Sequence, residues 1–371
     1  MKLSKPAARS CARADAQPRR IRAAIVLAWL VPALLAAAPA PRGDPASRIS
    51  DGGSASEYWD LVARFDSGHH LFARFLITNQ GPGEKTGVAY GHFVEPDGTA
   101  RSWRNGRSQQ NWNLGPNGLL LDVGSSDLDL RKQPYRLRIH KKKVKIDLRF
   151  EPVAAAAWDA KARSSEPAVD LLATSAPIRG SVWFRGMPAA LELTGRIALT
   201  HTWMEHNEAK IALRRLDFFS LGDEAAIHLR DFEAPDGTRS HWLTIVRAGE
   251  TVFETSDFEV SYEGRSDSYQ SADYPIPKIL RFRGPAVRGE VRIEVGLVHH
   301  DPMQDIPQPF RFLLSLSMRP HRMWAESPFE VTVGSGPDEL KIHGTGLTNV
   351  TYLNPPPPPP ATKTVPPPLG E

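Results

Sequence analysis

The sequence predicts an all-β protein built from two antiparallel domains in tandem, on three observations. Apolar residues alternate with polar ones in short runs from Glu57 onward, the period-two signature of half-buried strands. Helical periodicity is nearly absent over the same span. A turn string also occurs twice, as Phe93, Pro96, Asp97, Gly98, Thr99 and Trp103 and again, at identical offsets, as Phe232, Pro235, Asp236, Gly237, Thr238 and Trp242. Pro presets φ for the turn, Asp hydrogen-bonds back to the local backbone and Gly supplies φ > 0, so each copy predicts a hairpin tip. The pair predicts duplication of one β unit.

The elements follow in chain order. Lys2, Lys5, Arg9, Arg13, Arg19, Arg20 and Arg22 stand against the single acid Asp15, and residues 23–40 carry no charge. This predicts an export signal over 1–40 and a periplasmic or extracellular protein. Small residues at 36–40 suit cleavage, although Pro39 and Pro41 crowd the cut. The alternative is an uncleaved anchor, which Pro32 and a length near the lower end of the ~17 to 25 apolar residues that span a bilayer disfavour. Arg19-Arg20 suits the twin-arginine route, but Ile21-Arg22 replaces the apolar residues expected after such a pair.

Charge excludes one function class. The net charge of +4 becomes −2 once the seven positive charges and one negative charge of the first 40 residues are removed. A nucleic-acid partner needs a basic folded surface and is not expected. The only cysteine, Cys11, precedes the apolar stretch, so the exported chain would have no disulfide and must rely on its core.

A linker is expected over 41–53. In the first domain, 54–207, strands are predicted at 58–65, 71–78, 87–94 and 119–123, then at 136–140 and 144–150 around a basic tip of Lys141, Lys142 and Lys143. Residues 154–162 suit a short helix inside an irregular crossover, 154–177. Strands follow at 181–185 and 191–203. The second domain, 208–353, predicts strands at 213–221, 226–232, 242–247, 252–262, 279–283, 291–299, 310–318 and 329–333. So many antiparallel strands call for closed or face-packed sheets, which hide their edges. Pro355 to Pro360 and Pro366 to Pro368 cannot donate ladder hydrogen bonds, so 354–371 reads as an extended proline-rich tail, a spacer or the ligand of a proline-binding partner.

Four short stretches carry a resemblance. Gly195 to Trp203 contains Leu199-Thr200-His201-Thr202-Trp203; Leu216-Asp217-Phe218-Phe219 follows, then Tyr274-Pro275, and last Gly344-Thr345-Gly346-Leu347-Thr348. Together they resemble the AttH and carotenoid hydratase (hydroxyneurosporene synthase) group, with the related survival factor proteins and fungal lipocalin-like Diels-Alderases. The resemblance implies two tandem lipocalin-like, or calycin-like, antiparallel barrels or sandwiches. The group's pattern is close to Leu-Asp-His-Glu-Trp where this chain has Thr200 and Thr202, so both acids are replaced. A third acid, expected after the closing Gly-x-Gly, is replaced as well. Hydration of an alkene needs a positioned acid and a base, whereas pericyclic catalysis needs a shaped pocket with a few donors. Carriage of a lipophilic ligand needs less still.

The resemblance and the residue types nominate His201, Trp203, Glu205, Arg214, Asp217, Phe219 and Tyr274 for ligand binding, with His201, Asp217 and Glu205 the catalytic candidates if a reaction occurs. On a strand His201, Trp203 and Glu205 share one face. The alternative for His201 is a satisfied core histidine beside a packing tryptophan. Arg214 and Arg215 could clamp an acidic head group or form an ion pair between domains. His299-His300-Asp301 has metal-ligand residue types, but neighbours on a strand point to opposite faces, and His69-His70 sits in a turn; no metal and no cofactor are expected. Gly-x-Ser-x-Gly and His-Glu-x-x-His are both missing from the sequence. The expectation is an exported binder of a hydrophobic small molecule or lipid, with its pocket in a barrel mouth or between the domains. A cofactor-free hydratase or cyclase acting on an isoprenoid or polyene is the alternative, and an envelope attachment protein is the third.

Overall fold

The computed structural model describes residues 44–79, 85–152, 166–266, 274–303, 308, 310–315, 318–336 and 339–355. The export signal, the helix expected at 154–162 and all of the tail beyond 355 lie outside them. Two antiparallel sheets contain all the strands of the described chain. The first contains β1 (Ser56–Phe65), β2 (His70–Thr78), β3 (Thr86–Val94), β4 (Ala100–Arg107), β5 (Asn113–Leu114), β6 (Leu120–Asp122), β7 (Ser126–Asp129), β8 (Tyr135–Lys141), β9 (Val144–Phe150), β10 (Ala168–Phe184) and β11 (Leu191–Met204). Its order is β4-β3-β2-β1-β11-β10-β9-β8-β7-β6-β5. The short helix α1 (Glu208–Ile211), capped by Asn207 accepting from the Ala209 amide, leads into the second sheet.

That sheet holds β12 (Arg214–Leu221), β13 (Ala225–Glu233), β14 (Arg239–Arg247), β15 (Glu250–Thr255), β16 (Glu259–Glu263), β17 (Ile279–Arg283), β18 (Val287–Arg292), β19 (Val295–His300), β20 (His321–Val333) and β21 (Leu340–Tyr352). Its order is β15-β14-β13-β12-β21-β20-β18-β17-β16, with β19 also on β20. Each sheet thus starts with a run of hairpins and brings its last strand back beside its first, β11 on β1 and β21 on β12. Both curl around a core of their own, in the tandem lipocalin-like manner. Inward positions recur at every second residue, as the pleat requires. Trp59, Leu61, Leu71, Phe75, Phe93 and Leu199 meet in the first core; Leu216, Phe218, Leu229, Leu243, Met323 and Val350 meet in the second.

Both repeated turns are hairpin tips with the same wiring. Asp97 accepts from the Thr99 amide and Asp236 from the Thr238 amide, each at 2.8 Å. Gly98 and Gly237 have φ of 87° and 84°. They are not equivalents in the duplicated topology, however. The first copy joins β3 to β4, while the second joins β13 to β14, the pair that corresponds to β2 and β3. Phe93 and Trp103 accordingly pack in the first core, whereas Phe232 and Trp242 face outward against Leu171, Ala209 and Leu353. The duplication lies in the strand order, and the shared turn string is a local solution used at two different hairpins.

A Cβ at Gly98 or Gly237 would meet nothing within 4 Å. Gly98→Val and Gly237→Val should therefore cost only backbone strain, about 1 to 3 kcal/mol each, read as a drop in urea midpoint. A loss near zero at both would show that the turns relax freely.

Several expectations are corrected, and the single strands expected at 252–262 and 291–299 are each two, β15 with β16 and β18 with β19. Residues 310–318 do not form a strand: α2 (Phe310–Ser315) occupies most of them, since a short apolar run does not distinguish helix from strand by pattern. The crossover expected at 154–177 ends earlier, because β10 begins at Ala168. That stretch is buried on both faces and shows no alternation. β21, a central strand, went unpredicted because Gly344, Gly346 and several polar residues break its apolar pattern.

Candidate functional site

The outward faces of the two sheets pack back to back. From the first sheet come Tyr58, Asp60 and Val62 of β1, Phe72, Arg74 and Leu76 of β2, and Val88 and Tyr90 of β3. From the second come Arg215, Asp217 and Phe219 of β12, Arg230 of β13, Arg322 and Trp324 of β20, and Thr351 of β21. An apolar cluster closes one part of this seam: Phe72 stacks on Trp324 at 4.3 Å, with Val62, Val94, Phe219 and Leu347 around them.

Beside that cluster lies a largely buried charged network. Arg74 donates from Nε to Asp60 Oδ1 at 2.5 Å and, through its second nitrogen, to Oδ2, in the bidentate geometry that suits guanidinium and carboxylate. Arg215 reaches Glu208 at 2.5 Å, Asp217 at 3.0 Å and Asp60 at 3.8 Å. Arg230 donates to Asp217 at 2.5 Å, and His228 lies 3.3 Å from the same oxygen. Burial alone would raise the Asp217 carboxyl, but Arg230, the His228 hydrogen bond and Arg215 together hold it far below the usual carboxylate range. Burial pushes the Tyr58 hydroxyl up, out of reach of ionisation near neutrality. Tyr58 donates to Glu208 at 2.9 Å and lies under the Arg74 guanidinium, 3.8 Å from its ring centre.

A cavity of about 280 Å³ opens where the network meets the apolar wall. Leu76, Val88, Met303, Met318, Pro320 and Leu353 are among its apolar lining, and Tyr58, Arg74, Tyr90, Arg104, Glu208, His300, His321 and Arg322 among its polar one. Burial, with His92, Arg322 and Arg104 close by, lowers His300 to about 3; burial and His299 lower His321 to about 4. Both imidazoles are neutral at physiological pH and can exchange hydrogen bonds without adding charge.

The sequence-nominated residues divide into three groups. Asp217 and Phe219 lie on the interdomain seam, and Tyr274 touches it by stacking on His321 at 4.8 Å. Arg214 faces the other side of β12, paired with Glu233 at 2.5 Å and over the Tyr262 ring at 4.0 Å. His201, Trp203 and Glu205 lie elsewhere, at one end of the first core. His201 is fully buried, with Nε2 2.6 Å from Glu57 and its ring stacked on Trp59 at 4.5 Å. Glu57 also accepts from Ser47 at 2.6 Å and the Arg48 amide at 2.7 Å. Arg48 covers the Trp203 ring at 4.3 Å, and Glu205 accepts from Ser50 at 2.6 Å. The cluster ties residues 44–50 across that end.

None of the seven lines the cavity. Arg74, Tyr90 and Arg322 escaped the sequence reading for a physical reason. An arginine between Ala73 and Phe75 on an alternating strand reads as solvent-exposed, since arginine is almost never buried unless paired. Only the second sheet, packed on that face, makes it interior.

No family model matches the chain, and no curated protein does. Solved structures do match in fold. A Nitrosomonas europaea protein provisionally named AttH is 14% identical with a TM-score of 0.58, covering 85% of this chain and 100% of that one. CghA in complex with Sch210972 is 14% identical with a TM-score of 0.57, covering 84% and 98%. Kievitone hydratase from Nectria haematococca is 15% identical with a TM-score of 0.55, covering 85% and 97%. The architecture implied by the short motifs is therefore the one this chain adopts.

Proposed function

We propose that the protein binds a hydrophobic small molecule or lipid in the cavity between its two domains. The observation that carries this reading is the cavity's composition: a mainly aliphatic wall with a few convergent tyrosine, histidine and arginine side chains, the make-up of small-molecule sites in general. The fold supports it, since two proteins of the same architecture are a hydratase named for a small molecule and CghA, crystallised with Sch210972. Binding is favoured over acid-catalysed hydration because Asp217, the nearest nominated acid, is held ionised by the cations around it and is a poor proton donor. Glu205, the other nominated acid, lies away from the cavity. Export through the 1–40 segment, and any partner of the proline-rich tail, belong to the same proposal.

Nile red, a neutral probe, tests the location. Val88→Trp fills the cavity and should weaken Nile red binding at least about tenfold, roughly 1.4 kcal/mol, with the urea midpoint little changed. His201→Ala should do the opposite. It leaves buried Glu57 short of a partner and should cost about 1 to 3 kcal/mol of stability, while the folded protein keeps its affinity. The reverse pattern would move the site to the end of the first core, where the sequence motif lies.

A further inference from the structure

Arg322 is a guanidinium of the interdomain seam that forms no ion pair within 4 Å among the described residues, although Asp60 acts on it from farther off. Its residue surface is 6% exposed. Nε donates to Thr351 Oγ1 at 3.2 Å, and Nη1 to the Tyr90 hydroxyl at 3.0 Å, both neutral groups. Thr351 in turn donates to Asn349 at 2.8 Å, which leaves its oxygen free to accept from Arg322. Among the described residues Nη2 has no hydrogen-bond partner and no carboxylate lies within ion-pair distance of it. Arg322 lines the cavity together with Arg74.

The other charges of the network are committed. Asp60 is held bidentately by Arg74, Asp217 by Arg230 and Arg215, and Glu208 by Arg215 and Tyr58. Among the described residues of this network, the four cations Arg74, Arg215, Arg230 and Arg322 outnumber the three acids Asp60, Asp217 and Glu208, and Arg74, Arg322 and Glu208 all border the cavity. An unmatched buried cation is costly. Burial and the neighbouring Arg74 lower the affinity of Arg322 for its proton, with Tyr90 and Asp60 offsetting part of the effect. A guanidinium with a free edge presents parallel donors that fit a carboxylate.

We infer that the natural ligand is an amphipathic organic acid whose carboxylate sits on the free edge of Arg322, with its apolar body against Leu76, Val88, Met303 and Met318. The inference rests on the interdomain binding reading and narrows it from hydrophobic molecules in general to those with one anionic end. Neutral His300 and His321 add hydrogen-bonding capacity on the same wall without a second charge.

Calorimetric titration of the full chain with decanoate and with decanol tests it, because the two share a tail and differ in the head. The wild type should bind decanoate at least about tenfold more tightly than decanol, and Arg322→Gln should abolish that preference while leaving decanol affinity within about twofold. Arg322→Lys, which keeps the charge and loses the fork, should retain part of the preference. Equal affinities in the wild type, or a preference untouched by Arg322→Gln, would overturn the inference while leaving the cavity reading intact. Binding of neither compound would overturn both. Should Arg322→Gln fail to fold, the wild-type comparison decides alone.

Discussion

Asp217→Asn is expected to lower the unfolding free energy by about 3 to 5 kcal/mol, the scale on which breaking a buried ion pair from one side destabilises a protein. The substitution keeps the shape and removes the charge on which Arg230, at 2.5 Å, and Arg215, at 3.0 Å, both depend. Two guanidinium groups would then lie buried with a neutral amide between them. A pH signature should accompany the loss. The folded-state pKa of Asp217 is depressed, so its contribution is fully present above the unfolded carboxyl value, about 3.9. It declines as pH falls below that, because the unfolded chain takes up a proton that the folded one refuses. Urea midpoints measured between neutrality and pH ~2.5 should fall more steeply for the wild type than for Asp217→Asn. Parallel profiles would mean that the carboxylate is not the centre of the network.

Trp324→Ala should cost a similar amount, about 3 to 5 kcal/mol, as large-to-small changes at a packed aromatic do. The indole is 4% exposed and stacks on Phe72 of the other sheet, with Phe219 at 6.4 Å. Its loss therefore removes adhesion between the domains as well as packing within the second. Calorimetry should show it: a wild type that melts in one transition should give way to a variant with two. A variant that still melts as one unit, with only a small fall in Tm, would show that the polar network alone holds the seam.

Much of the architecture was legible in the sequence, because strand alternation is a local property. β8 and β9 carry it over most of their length, while β1, β2, β12 and β13 were legible as short runs rich in apolar residues. It failed where both faces of a strand are covered, as in the first half of β10, and where glycines interrupt the pattern, as at Gly344 and Gly346 of β21. The site was less legible. The motif around His201 stands out because it concentrates polar and aromatic types on one face, yet that face closes the end of a core. The cavity is written at alternate positions of strands distant in sequence, among them Arg74, Tyr90 and Arg322. No one segment announces it, since each of those residues would be an ordinary surface side chain if its sheet stood alone.

The back-to-back packing of the sheets has a consequence for how such a protein can diversify. Residues that shape the cavity and residues that fill the cores occupy alternate positions on the same strands: Leu76 beside Phe75 and Ile77, Arg322 beside Met323, Thr351 beside Val350 and Tyr352. Selection can redraw the cavity-facing set one side chain at a time while the interleaved core set keeps the backbone in place. A scaffold of this kind tolerates wide sequence drift with little change of shape, as the shared architecture at 14% to 15% identity illustrates.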